Sequence, residues 1–497
     1  MPTATQPIPA ARPDLPANTS AILGIFGRST LWIWVDRGLL SIGTLLAGLF
    51  LVRYLGPADF GHYSVALSAG VLVAVVMDLG FTRYAARAVA ASPEEGSDIL
   101  AAGLLLSGFV FLGQLAALVI AAILGKWFAT CLCAGLILGN LQRTATLAGT
   151  LLTAELRSQS VLPGSVLARA GTIGVIGVVA WQHLSVRAAL LASTVIWFPV
   201  IAIRLWQVRN HFPTRRQWSW KTVRGVGGRA WPFFSYSLTQ IGYEQISIAC
   251  FSLVATQEEV GQFAAAAVIA NVFPQWTFAS SDALLPVMTR LFEARRTNEL
   301  LLIGQRILDV LLILSVPVVV LLGVFAPEVC GVLGSRFAAS AVALRILAGR
   351  SFFSVLGGLF GEGFVTASNR MKDRRNALAR VLLLLVVSTV VLGHVWGIAG
   401  AAMALLAGSF LLLVQYVRIS AGIGLRLCWA PALGPCVLGG LAMLGASIAF
   451  SRSLGWIIAS ALAILVYFGV LALVKPRLLN SAWRTLRECM SGAMAIS

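Results

Sequence analysis

Of the 497 residues, 58% are hydrophobic and only 11% are charged, a profile that excludes a soluble globular domain and indicates a polytopic membrane protein. The formal net charge is +18, from 37 Lys and Arg against 19 Asp and Glu. In a soluble chain that excess would suggest nucleic acid; in an apolar one it must first be tested against the retention of basic residues on the cytoplasmic side.

In chain order, residues 1–27 carry five prolines, Pro2, Pro7, Pro9, Pro13 and Pro16, and are expected to form a disordered cytoplasmic tail. No cleavable signal is expected, because the first apolar run is of spanning length and lacks a small-residue cleavage site. Leu31–Leu51 and residues 60–79 each reach the ~20 residues that cross a bilayer. The polar stretch from Arg53 to Gly61 between them leaves room only for a tight reversal, which predicts a transmembrane hairpin. Gly56, Pro57 and Gly61 suit the backbone of such a turn. Further spans are predicted over 99–124, 128–152, 161–181 and 184–205, then, beyond a basic linker at 206–230, over 232–254, 261–283, 307–325, 340–364, 377–393, 398–418, 431–450 and 454–474. The prediction is fourteen transmembrane helices, with both termini cytoplasmic.

The basic residues support that count. Only Arg53, Lys126, Arg187, Arg336 and Arg452 are assigned to the side away from the termini. A wrong span count would scramble this asymmetry, so most of the net charge reflects topology and no nucleic-acid partner is expected. Seven cysteines and four histidines are scattered along the chain, and neither a disulfide framework nor a metal site is expected from their spacing.

Internal similarity divides the chain further. Asp59-Phe60-Gly61-His62-Tyr63 is echoed by Glu259-Val260-Gly261-Gln262-Phe263. At a near-constant offset, Thr153-Ala154-Glu155-Leu156-Arg157 compares with Thr366-Ala367-Ser368-Asn369-Arg370, Leu167-Ala168-Arg169 with Leu378-Ala379-Arg380, and Ala188-Ala189 with Ala401-Ala402. This order predicts an N-lobe over 28–205, the cytoplasmic linker 206–230, a C-lobe over 231–418, two extra helices within 419–475 and a cytoplasmic tail over 476–497. The fold class expected is therefore all-α integral membrane, two pseudo-symmetric six-helix lobes plus two C-terminal helices, the lobes related by an axis along the membrane normal.

The segment Arg53-Tyr-Leu-Gly-Pro-Ala-Asp-Phe-Gly-His-Tyr-Ser64 followed by Met77-Asp78-Leu79-Gly80 resembles the opening hairpin of bacterial polysaccharide-transport flippases. These are the O-antigen and exopolysaccharide translocases of the multidrug/oligosaccharidyl-lipid/polysaccharide exporter superfamily. Gly334–Ala348 and Trp396–Ala402 are similar to further, more generic family segments. The resemblance spans about 27–475 and departs from the family pattern at the Pro-rich tail. It implies two lobes around a central cavity, alternating access in the inner membrane, and a polyprenyl (undecaprenyl) diphosphate-linked oligosaccharide as cargo.

A charge in the hydrocarbon costs at least ~2.5–3.5 kcal/mol at a helix centre, so each one requires an explanation. Arg350 lies near the middle of its span. Arg143 has Asn140, Gln142 and Thr144 around it, and Arg37 sits where its side chain can snorkel to the cytoplasmic face. Arg169 and Arg345 lie nearer span ends. These five are the candidate cargo-binding residues, since a guanidinium can hold diphosphate oxygens bidentately; pairing with a carboxylate or a backbone carbonyl is the plainer alternative for each. Glu244 is the candidate for coupling to a proton or sodium gradient, or for balancing an arginine. Asp78 and Asp282 are expected to pair with basic loop residues, and Asp36, which cannot face its neighbour Arg37, with another helix. No cofactor is expected. No paired carboxylates, Ser/His arrangement or phosphate-cradling Gly loop points to an enzyme. A drug or small-metabolite exporter of the same superfamily is the alternative, disfavoured by five intramembrane arginines. A role in recruiting a polysaccharide polymerase or export machinery through the basic loops is compatible with transport.

Overall fold

The computed structural model describes residues 19–91, 95–154, 158–183, 185–209, 219–275, 285, 288–289, 291–451, 455–476 and 478–480, with side chains from Asp36 onward apart from Arg37, Leu40, Ala90, Ala91, Ser158, Gln159 and Pro232. Among the described residues there are helices and no strand. Nine of these helices are long and apolar enough to cross a membrane, and the chain is a multi-pass membrane protein.

Helix α1 (Thr19–Asp78) starts within the stretch assigned to the tail and is broken at Gly56, whose φ of 76° and ψ of 174° are left-handed territory that only glycine enters freely. Pro57 then opens the second half, where its missing N–H costs nothing. The break at Gly56 falls within the stretch from Arg53 to Gly61 where a reversal was expected. Helices α2 (Phe81–Ala91), α3 (Glu95–Ile123), α4 (Trp127–Ala154), α5 (Ser158–Trp181), α6 (Val186–Val195) and α7 (Trp197–Arg209) complete the first half. Glu95 and Asp98 stand in the first turn of α3, where the helix dipole favours anions.

The second half begins with α8 (Trp220–Phe251) and α9 (Gln257–Ala270). Thr256 and Glu259 close a reciprocal capping box at the start of α9. There follow α10 (Thr297–Val324), the short α11 (Ala326–Gly331), and α12 (Ser340–Gly358), which continues into a wide π-helical turn over Leu359–Val365. Helix α13 (Met371–Gly422) is broken at Gly397 (φ 56°, ψ −133°). A Cβ on Gly400 would collide with the Leu392 carbonyl, so the two halves of α13 lie against one another and the chain reverses there. The predicted spans 377–393 and 398–418 are these two halves. Helices α14 (Ala430–Ser451) and α15 (Trp456–Val474) close the chain.

Without a hydrophobic drive between helices in lipid, association depends on close packing, and small residues supply it here. Ala66 and Gly70 of α1 meet Gly135 and Gly139 of α4 backbone to backbone, so a Cβ on any of the three glycines would strike the facing chain. The outward surface is apolar, with Phe109, Leu112, Leu441 and Leu465 all exposed. Exposed tryptophans such as Trp181, Trp206, Trp220, Trp396 and Trp456 gather at or near helix ends, as expected where bilayer meets water.

Candidate functional site

In the first half, Arg143 is buried on α4 and its charge is met by Asp78, with Nη1 3.3 Å from Oδ1. Its other terminal nitrogen donates to the Ser107 hydroxyl of α3. Asp78 also accepts from the Thr82 backbone N–H at 3.2 Å and hydroxyl at 2.8 Å, capping α2. Asn140 donates to the Ser107 carbonyl and Thr144 to the Ser107 hydroxyl, both at 3.0 Å. Asp78 was expected to pair with a basic loop residue; its cation is instead the intramembrane Arg143, because the end of α1 packs along α4.

Arg169 donates to the Thr44 hydroxyl of α1 at 3.2 Å. Its stem runs against Gly43, where a Cβ would stand 3.0 Å from three of its carbons. Arg204, at the end of the predicted span 184–205, is also buried. It donates to the Ala145 carbonyl at 2.6 Å and fits over Gly149 and Gly164. Asp36 lies within electrostatic reach of both arginines, and its Oδ1 is buried without a hydrogen-bond partner. The side chain of Arg37 and all of Asp282 lie outside the described residues.

In the second half, Arg350 of α12 is buried and donates to Asn271 Oδ1. It neighbours Tyr243, whose hydroxyl is 2.8 Å from that of Ser409 on α13. Arg345 is exposed and its Nε donates to the Gly323 carbonyl at 3.3 Å. The four predicted arginines whose side chains are described, Arg143, Arg169, Arg345 and Arg350, are therefore held by separate sets of partners. Glu244 is accessible although its neighbours Gly242 and Tyr243 are buried; it stands beside Gln240 and within electrostatic reach of Arg83, Arg350 and Glu362.

Glu362 and Arg374 were not singled out from sequence. Glu362 sits in the π-helical turn and accepts from Arg374 Nη2. Arg374, expected in a cytoplasmic loop, is 3% exposed. Its Nη1 donates to the Thr366 hydroxyl at 2.9 Å, and that hydroxyl donates to the Gly361 carbonyl at 2.8 Å, so one guanidinium braces the widened turn. The signal available in the sequence was a glutamate between two glycines inside an apolar run, Gly361-Glu362-Gly363.

The halves touch at several places. A Cβ on Gly61 would strike the Gln257 carbonyl, and one on Gly261 would strike the Pro57 carbonyl, so the two sequence-matched glycines face each other. Ser41 donates to Gln275 at 3.1 Å. Gly80, at φ +82°, lies against the Ala230 carbonyl and the Phe234 N–H of α8. Arg83 of α2 donates to Gln240 of α8 at 2.7 Å, and Arg229 of α8 pairs with Glu95 of α3 at 2.9 Å.

Comparison with solved structures shows the fold. The lipid II flippase MurJ in an inward closed conformation superposes with a TM-score of 0.70 at 12% identity, covering 91% of this chain and 99% of that one. An outward-facing multidrug resistance MATE family transporter of the MOP superfamily gives 0.58 at 16% identity, over 82% of this chain and 98% of that one. A MOP superfamily transporter from Pyrococcus furiosus, described by a reversed polarity of its binding pocket, gives 0.57 at 14% identity, over 82% and 96%. No curated protein matches the sequence. Residues 27–292 match the family model of polysaccharide biosynthesis proteins, and the chain belongs to that family.

Proposed function

We propose that the chain is a flippase that moves a polyprenyl diphosphate-linked oligosaccharide repeat unit from the cytoplasmic to the outer leaflet of the inner membrane, for exopolysaccharide or O-antigen synthesis. The observation that carries this reading is the match to polysaccharide biosynthesis proteins over residues 27–292, in a chain whose fold is that of membrane transporters. In this reading α1 and α13 each cross the membrane twice, fourteen crossings form two six-helix lobes with α14 and α15 beside them, and both termini face the cytoplasm. The lobes rock to expose a cationic interior to each leaflet in turn, while the polyprenyl tail stays in lipid. Arg350, whose partner Asn271 is neutral, is the arginine best suited to meet an anionic headgroup, because no carboxylate has to be displaced. Glu244 is the group through which a proton or sodium gradient would act.

The test is cellular. A deletion strain is complemented with the wild type, with Arg350→Ala and with Glu244→Ala, and surface polymer and lipid-linked intermediate are quantified. The expected outcome is loss of polymer in the deletion, with intermediate retained on the cytoplasmic leaflet, rescue by the wild type, and none by Arg350→Ala expressed at equal level. Normal polymer together with sensitisation to cationic drugs would instead establish an exporter of the multidrug type, a reading with which the fold is also compatible.

A further inference from the structure

One face of α8 carries Tyr236, Gln240 and Glu244 at four-residue spacing, and side chains so spaced stack along a helix. At the level of Tyr236 the two halves of the chain meet around a single ring. The guanidinium of Arg83, from α2, lies 5.0 Å from the ring centre, and that of Arg374, from α13, lies 4.9 Å from it. The two cations are therefore separated by no more than the sum of these distances. Arg83 is exposed, and its hydrogen-bond partner among the described residues is the neutral Gln240. Tyr236 is 4% exposed, yet its hydroxyl has no partner, and the Nε of Arg374 is likewise buried and unpartnered.

Two buried donors at the same ring, both unpaired, are costly to leave without an acceptor. An acceptor-rich anion would satisfy both. We propose that Arg83, Tyr236 and Arg374 form a binding station for a phosphoester anion, a diphosphate above all. Its spread of oxygens reaches both guanidiniums and takes the Tyr236 hydroxyl as a third donor. Glu362 and Thr366 hold Arg374 through its two terminal nitrogens and leave its Nε free. Glu244 stands two turns further along α8 and repels the anion, which keeps it at the level of Tyr236. Because one cation comes from each half, an occupied station would exchange the Arg83–Gln240 hydrogen bond for a bridge through the ligand. That the diphosphate is borne by a lipid rests on the flippase reading; the site itself does not.

The test uses the full chain in nanodiscs of neutral phosphatidylcholine, titrated calorimetrically with farnesyl diphosphate and with inorganic pyrophosphate. Saturable binding is expected for the wild type, weakened about tenfold in Tyr236→Phe, the loss typical of one hydrogen bond to a charged group, and more in Arg83→Gln. Since the hydroxyl is buried and makes no bond in the free protein, Tyr236→Phe should melt no lower than the wild type, which separates a binding role from a structural one. Tighter binding of farnesyl diphosphate than of pyrophosphate identifies a lipid-borne ligand, and equal binding a free anion; both uphold the station. Wild-type affinity in Tyr236→Phe and Arg83→Gln, or no binding by the wild type, overturns it. Variant-sensitive binding by a protein that fails to restore polymer in the deletion strain would remove the flippase reading and leave the station standing.

Discussion

Arg143 and Arg350 are chemically alike, equally conspicuous in hydropathy, and differently held. Arg143 is met by the buried carboxylate of Asp78, whereas Arg350 leans on an amide. Removing one partner of a buried pair strands the other charge, so Arg143→Ala is expected to destabilise the protein by about 3–5 kcal/mol, read as a lowered melting temperature in detergent. Adding Asp78→Asn should recover much of the loss. Arg350→Ala loses hydrogen bonds but strands no charge, for a cost of about 1–3 kcal/mol, and should therefore fold while failing in the cell. If Arg143→Ala melts like the wild type, the Asp78 pair is not a brace. The sequence identified both arginines because a charge in an apolar run stands out by itself. It did not reveal what each arginine touches, because Asp78 and Asn271 come from distant stretches brought near only by helix packing. Glu362 was missed for a related reason: its meaning depends on Arg374, which read as one of several basic residues near a helix start.

Among the elements, the hairpins were the most legible. Leu55-Gly56-Pro57 announces a break through residue types that tolerate it, and Gly56 is where α1 breaks. The π-helical turn was not legible, since Gly361 and Gly363 weaken a helix without specifying how it widens, and the extra residue is accommodated by Arg374 and Thr366 acting from outside it. Glycine-lined crossings give a sign test. Gly108 of α3 faces open space, so Gly108→Ala should raise stability by up to about 1 kcal/mol through helix propensity. Gly61→Ala, the same chemical change, must push α1 away from α9 and should lower the melting temperature. Two shifts of the same sign would show that the Gly61 contact does not form in the membrane.

At the scale of the whole molecule, the distribution of basic residues carries a topological prediction. Reporter tags inserted at 210 and at 300 are expected on the same, cytoplasmic side; opposite sides would remove the fourteen-span arrangement. The echo between residues 59–63 and 259–263 was visible as a weak similarity, and nothing in it said that the matched segments would touch. They do so reciprocally: Gly61 against Gln257, Gly261 against Pro57. In assemblies of identical subunits that exchange is the mark of an isologous interface, where one patch serves as its own complement across a two-fold axis. A chain that keeps such an interface inside itself behaves as a tethered dimer whose two protomers have been free to diverge. The tether is then dispensable in principle: polypeptides cut between Arg209 and Ser219 and produced together should find each other through this seam, and neither should accumulate alone.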